Sequence, residues 1–249
     1  MNPIQQFEQE KQERIATLGQ DAAFRELSRD WLECSMRKQY VYNFNWMGRP
    51  IIQNPIDIVA MQEIIWSVQP DLIIETGIAH GGSLIFSASM LELNAACGGP
   101  LDAEVLGVDI DIRQHNREAI EAHPMSRRIS MIQGSSIAPE IISMVKAKAS
   151  GKERVLVCLD SNHTHKHVLA ELEGYAPLVS VDSYCVVFDT FVEDVPPDVF
   201  ADRPWSPGDN PKTAVREYLR FHPEFEIDKT VQNKLLITVA PDGYLKRVR

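Results

Sequence analysis

The chain has 249 residues, 44% hydrophobic and 24% charged, an ordinary globular composition with room for one large α/β domain or one domain with a helical appendage. A formal net charge of -10 gives an acidic surface that repels phosphate backbones, which argues against nucleic acid and for a small-molecule partner. Four cysteines, Cys34, Cys97, Cys158 and Cys185, form no C-x-x-C pair, so reduced thiols are expected rather than a disulfide framework.

Residues 1–14 are polar and lack the apolar core of a secretory signal, and no run reaches the roughly 18 apolar residues of a membrane span. A cytoplasmic location is therefore expected. Residues 4–38 read as helical, with Phe7, Ile15, Leu18, Phe24, Leu27 and Leu32 at helical intervals. They predict a surface helix pair, or an arm that packs on a neighbour. Residues 40–53, YVYNFNWMGRPIIQ, carry aromatics and asparagines without a clean period. Packing across a sheet edge is the plainer reading of that stretch, and lining a pocket is the other. Residues 1–54 thus form a helical arm and aromatic segment set before a main domain over 55–249. Asn54-Pro55 starts a helix through Val68, with Pro55 in its first turn.

From Asp71 strands and helices alternate. Strands are predicted at 72–75, 105–109, 129–133, 155–160 and 184–189, with helices at 83–94, 113–123, 139–149 and 165–175. This predicts right-handed crossovers and a doubly wound, Rossmann-like parallel sheet covered on both faces. Between Thr190 and Pro211 a long proline-rich stretch holds Trp205, and reads equally as a substrate loop or a surface loop. After a helix at 212–221, strands at 225–230 and 234–239 stand so close that they must be antiparallel, so a C-terminal hairpin is expected.

Chemistry gathers at the ends of the predicted strands, where open α/β sheets bind ligands. The first strand runs into Glu75-Thr76-Gly77-Ile78-Ala79-His80-Gly81-Gly82-Ser83. Gly77 permits a sharp turn, Gly81 and Gly82 let backbone approach a ligand, and Ser83 caps the next helix. The spacing is G-x-x-x-G-G rather than the dinucleotide G-x-G-x-x-G, and Glu75 suits an ammonium or sulfonium group while repelling a pyrophosphate. Asp109 ends the second strand and is placed to take two ribose hydroxyls, with Asp111 as a helix cap. Ser135 and Ser136, after the third strand, reach toward an adenine edge or else cap the following helix.

The fourth and fifth strands end at Asp160 and Asp189, neighbours able to share Mg²⁺ or Mn²⁺ that would lower the pKa of a substrate hydroxyl. His163, three residues after Asp160, is the natural general base. The plainer reading makes Asp160 a helix cap and His163 a loop residue. His163 and His167 also have the i, i+4 spacing of zinc ligands, but no third ligand follows.

The stretches YNFNWMGRPIIQNPIDI, ETGIAHGGSLIFSASML, LGVDIDIRQHNREAI, QGSSI, LDSNHTHKHVLAELEGYAP and YCVVFDT resemble, in order, the cephalosporin hydroxylase/rhamnosyl O-methyltransferase family. The resemblance runs from about Tyr40 to Thr190, more loosely beyond. It implies the methyltransferase variant of the doubly wound sheet, and S-adenosylmethionine at Glu75, Gly77, Gly81, Ser83 and Asp109. It further implies Mg²⁺ on Asp160 and on an acidic pair after the fifth strand, His163 as base, and multimers built through the N-terminal helices. One departure stands out: the family's Glu-Asp is Phe188-Asp189 here. The function expected is O-methylation of a sugar or glycosylated natural product. The competing readings are a non-catalytic member supporting another enzyme, a nicotinamide oxidoreductase, and a non-haem iron hydroxylase.

Overall fold

The computed structural model describes residues 2–249. Two helices open the chain, α1 (Pro3–Gln20) and α2 (Ala22–Arg37). Asn2 and Gln5 close a capping box at the start of α1, and the Asp21 carboxylate accepts from Phe24 N–H to cap α2. A Cβ at Gly19 would meet the Asn233 side chain at 2.4 Å, so the end of α1 lies directly against the C-terminal part of its own chain.

A short antiparallel hairpin follows, β1 (Phe44–Trp46) and β2 (Arg49–Ile51). Its corner residues Met47 and Gly48 have φ of 45° and 86°, the two positive values that the tightest hairpin turn requires. Trp46 Nε1–H donates to Ser89 Oγ at 3.0 Å, and its ring meets Phe86 edge-on. The aromatic segment is therefore a hairpin packed on a helix, more ordered than its aperiodic sequence suggests.

The main domain runs α3 (Pro55–Val68), β3 (Leu72–Thr76), α4 (Gly82–Ala96), β4 (Glu104–Asp109), α5 (Gln114–Glu121), β5 (Ile129–Gln133), α6 (Pro139–Ala149), β6 (Val155–Leu159), α7 (His165–Tyr175), β7 (Tyr184–Val187), α8 (Pro211–Tyr218), β8 (Phe225–Ile227), α9 (Lys229–Leu235) and β9 (Tyr244–Arg247). Seven strands form one sheet in the order β5-β4-β3-β6-β7-β9-β8. The five from β5 to β7 are parallel, and β9 is antiparallel to both β7 and β8. Strands β3 and β6 are buried along their whole length, because apolar cores lie on both faces of the sheet. Cys158 and Cys185 are buried free thiols within β6 and β7, as expected. No helix among the described residues is long and apolar enough to cross a membrane.

The antiparallel ending is as expected, but its second strand is not. Residues 234–239 do not form a strand; α9 fills the connection, and β9 lies further on. Two sets of hydrogen bonds explain the difference. Asp228 caps α9 by accepting from Thr230 N–H at 2.9 Å. Thr238 and Val239 leave the sheet to bind Asp57 of α3, with Val239 N–H at 2.9 Å from its carboxylate. Tyr244 O–H adds a third donor at 2.8 Å. The Asp57 carboxylate is 0% exposed. Burial pushes its pKa up to about 6, with the Thr238, Val239 and Tyr244 hydrogen bonds opposing.

Candidate active site

At the C-terminal end of β3 the backbone turns through Gly77 (φ 90°), Ala79 (φ 45°) and Gly81 (φ 83°) before α4 begins. The left-handed Ala79 is strained, because an L side chain disfavours that region. Asp109, at the end of β4, fastens this loop: its Oδ2 accepts from Ile78 N–H at 2.7 Å and Ala79 N–H at 3.3 Å. Its Oδ1 accepts from Asp111 N–H, so Asp111 is held by Asp109; the residue capping α5 is Arg113.

What the glycines admit is mostly protein. A Cβ on Gly77 would fall 2.1 Å from the Asp160 carbonyl, so glycine lets the ends of β3 and β6 close together. A Cβ on Gly82 would collide with Pro50 O at 2.2 Å, and one on Gly81 with Ile120. Of the two, only Gly82 also lines a cavity. Ser83 does not cap α4, whose cap position is Gly81; its Oγ–H donates to Glu75 instead. Glu75 is 4% exposed and has no cationic partner among the described residues. Burial pushes its pKa up to about 7, with the Ser83 hydrogen bond opposing.

Strands β6 and β7 stop at Leu159 and Val187, which leaves Asp160 and Asp189 just beyond the sheet. His163 Nε2 lies 3.0 Å from Asp189 Oδ2. Donor atoms of Asp160, His163 and Asp189 all fall within 4.8 Å of one another, the one such cluster among the described residues. Asp160 caps no helix; its Oδ2 accepts from Gln53 Nε2–H at 2.9 Å. Burial holds its pKa well above the usual carboxylate range, and the neighbouring Asp189, Glu75 and Glu171 charges add to that. Phe188 is 5% exposed and packs into the core, so it adds no ligand.

The zinc alternative does not form. His165 Nδ1 pairs with Thr213 Oγ1 at 2.8 Å, while His167 Nε2 meets Ser136 Oγ at 3.0 Å and Ser161 Oγ at 3.2 Å. That engagement also withdraws Ser136, which is buried. Ser135 and Ser136 line neither cavity described below, and α6 is preceded by Ala138 with no side-chain cap.

Two cavities meet over these strand ends. The smaller, about 140 Å³, is walled by the glycine loop (Gly77–Ala79, Gly82, Ser83), by Asp109 and by Pro50–Gln53. The larger, about 390 Å³, holds His163, Asp189, Tyr42, Arg203 and Trp205. Ile52, Gln53, Ala79, Asp160 and Ser161 line both, so Asp160 stands at their junction, with His163 and Asp189 on the side of the larger. Glu75 sits just behind, in a 20 Å³ void shared with Gln53, Ser83 and Asp160. The 190–211 stretch walls the larger cavity and has its own structure: single helical turns at Thr190–Asp194 and Pro197–Phe200, tied by Glu193 to Gly208 N–H and Asn210. Trp205 meets His163 edge-on with centroids 4.6 Å apart, and Arg203 sits 5.5 Å over the Trp205 ring.

Sequence reasoning missed Gln53 and Arg203. Each is a lone polar residue in an aperiodic stretch, and only the fold carries it to Asp160 and Trp205.

A family model described as Rhamnosyl O-methyltransferase/CmcI matches residues 38–248. The rhamnosyl O-methyltransferase of Mycobacterium leprae (strain TN) is 31% identical over 221 residues, covering 84% of this chain and 88% of that protein. Its counterpart from Mycobacterium bovis (strain BCG) is 31% identical over 220 residues, covering 84% and 82%. Among solved structures, CmcI with Mg-SAM aligns with a TM-score of 0.55 at 18% identity, covering 84% of this chain and 78% of that one. The MycE methyltransferase in complex with Mg, SAH and mycinamycin VI aligns at 0.51 and 17% identity, covering 88% and 54%. At such identities these two structures speak for the fold.

Proposed function

The chain belongs to the rhamnosyl O-methyltransferase/CmcI family, and we propose that it methylates a hydroxyl of a sugar or glycosylated natural product with S-adenosylmethionine as donor. One observation carries this reading: Asp160, which lines both the glycine-loop cavity and the larger one, is clustered with His163 and Asp189 of the larger.

The residues present fit the donor. Glu75 is a buried carboxylate with no cation beside it, and a bound ammonium or sulfonium would supply one. Glu75, Gly77, Gly82, Ser83 and Asp109 would hold it; Gly81 shapes the turn behind them. Asp109 accepts three backbone bonds and keeps one lone-pair site, on Oδ1, for a ribose hydroxyl. When bound, S-adenosylmethionine presents a methyl group activated by its positive sulfur.

This chain's task is to orient the acceptor and to take its proton. With Nε2 turned to Asp189, the Nδ1 of His163 is left to accept the hydroxyl proton, and Asp189 stabilises the imidazolium that forms. Trp205 holds the ring edge-on and offers a platform for an apolar sugar face. Two carboxylates and an imidazole also fit a divalent ion such as Mg²⁺, which would be held by Asp160 and Asp189 and would acidify the hydroxyl. Phe188 leaves that set one acid short of the pair the family resemblance implies.

Exposed Phe24, Leu27 and Trp31 follow one another along α2, which supports a homo-oligomer formed through the N-terminal arm. The test of the activity is calorimetric. S-adenosylmethionine is expected to bind one per chain, and Asp109→Ala to weaken it at least about tenfold, the worth of one charge-assisted contact. An intact protein that binds none refutes the reading.

A further inference from the structure

A third cavity, about 310 Å³, lies on the far side of the Thr190–Asp194 turn, enclosed by α2, α8 and α9. Five cationic side chains line it, Arg25, Arg29, Lys212, Arg216 and Lys229, against two carboxylates, Asp194 and Asp242. In a chain of net charge -10 this is a local inversion of sign.

The cations are not equally engaged. Lys212 is 4% exposed and pairs with Asp194 and, at 3.7 Å, with Asp242. Lys229 pairs with Asp242, and Arg216 with Glu193 at 3.2 Å. Arg25 and Arg29 have no carboxylate within 4.0 Å among the described residues; Arg25 only donates to the Gly19 carbonyl at 3.3 Å. They stand one helical turn apart on the same face of α2, where like charges repel. Both acids of the cavity are already held by lysines, so within the cavity no carboxylate is left for the two arginines. Leu32, a turn beyond Arg29 on α2 and largely buried, joins Phe191 and Leu236 in the apolar part of the lining.

We propose that this cavity binds a small organic anion: a phosphate or sulfate ester gripped by Arg25 and Arg29, its apolar or ring-bearing body lying on Leu32, Phe191 and Leu236. A guanidinium pair matches the oxygens of such a group, and the volume lies at the small end of the range for small-molecule sites. The site is separate from the proposed reaction centre and needs neither cofactor nor acceptor. Phe191 is the one side chain lining both this cavity and the one that holds His163, so a ligand here touches a wall of the reaction cavity.

The test is titration calorimetry with phenyl phosphate at constant ionic strength, with inorganic phosphate and phenol as parallel arms. Saturable one-to-one binding of phenyl phosphate is expected, weaker binding of inorganic phosphate, and none of phenol. The double variant Arg25→Ala/Arg29→Ala and the single variant Arg29→Glu, both on exposed positions, are expected to lose at least tenfold in affinity while keeping the thermal midpoint of the parent. The double variant is expected to keep its S-adenosylmethionine affinity within twofold, which separates this outcome from failure of the methyltransferase reading. Three results would overturn the proposal: no saturable binding, undiminished binding by the double variant, or phenyl phosphate binding no tighter than phenol or inorganic phosphate.

Discussion

Of the carboxylates buried in the core of this domain, Asp57 and Glu75 are provided for differently. Asp57 on α3 receives three donors, from Thr238, Val239 and Tyr244. Glu75 at the end of β3 receives one, from Ser83. Burial dominates both and raises them by similar amounts, Asp57 from 3.8 to about 6 and Glu75 from 4.5 to about 7, so the difference between them lies in their partners. Asp57 is a pin, holding the chain's end to α3 with its hydrogen bonds complete. Glu75 has one donor, and its charged form is the one that the proposed S-adenosylmethionine would stabilise. The difference separates a carboxylate bonded within the fold from one left for the proposed donor.

The largest expected effect tests the reaction that the second region serves. His163→Ala should lower kcat by roughly 10²–10⁴ with little change in donor affinity, as loss of a general base does. Steady-state rates beside donor titrations check it. The comparison itself breaks if Asp57→Ala is mild. That change leaves three buried donors unpaired and should cost about 3–5 kcal/mol in chemical denaturation.

Glu75→Gln should do the opposite to stability. Glu75 has its folded pKa raised from 4.5 to about 7, so between those values the native state holds more protons than the unfolded chain. Stability from this group is therefore full below about pH 4.5, falls as pH rises through 7, and is lower by roughly 3 kcal/mol on the plateau above. Asp57 contributes the same sign between 3.8 and about 6 but is common to both proteins. Urea unfolding from pH 4.5 to 8 should show the parent losing ground on Glu75→Gln as pH rises. A parallel pair of curves would equate the two acids after all. The smallest effect expected is at Trp205→Ala: KM for the acceptor should rise by about fivefold, near 1 kcal/mol of lost ring contact, with kcat changed less.

The two regions also differ in how much their sequences disclose. Glu75, Gly77, Ser83 and Asp109 lie on one strand–turn–helix and the next strand, so short-range spacing was enough to group them. The carboxylates and His163 were legible because they end strands that become neighbours in the sheet. Gln53, Arg203 and Trp205 come together only through the β1–β2 hairpin and the Thr190–Pro211 wall, whose aperiodic sequences announce no partner. The final strands misled for a related reason. The run Lys234–Val239 is apolar enough for a strand, but Asp228 starts a helix before it, and Asp57 takes its end by bonds that join residues over 180 positions apart. Gly77 was read as a turn residue and has the φ of one, 90°, while Gly81 and Gly82 were read as letting backbone approach a ligand. That Gly77 and Gly82 make room for Asp160 and Pro50 is a property of packing that no local pattern carries.

One measurement bears most directly on the account. S-adenosylmethionine is titrated at pH 8 into the parent protein and into Glu75→Gln, with the melting temperature of each recorded. The account predicts that Glu75→Gln melts at the same temperature as the parent or higher and binds the donor at least about tenfold more weakly, the loss of one buried charge pairing. Equal affinity in the two proteins, or a Glu75→Gln protein that melts well below the parent, would contradict it.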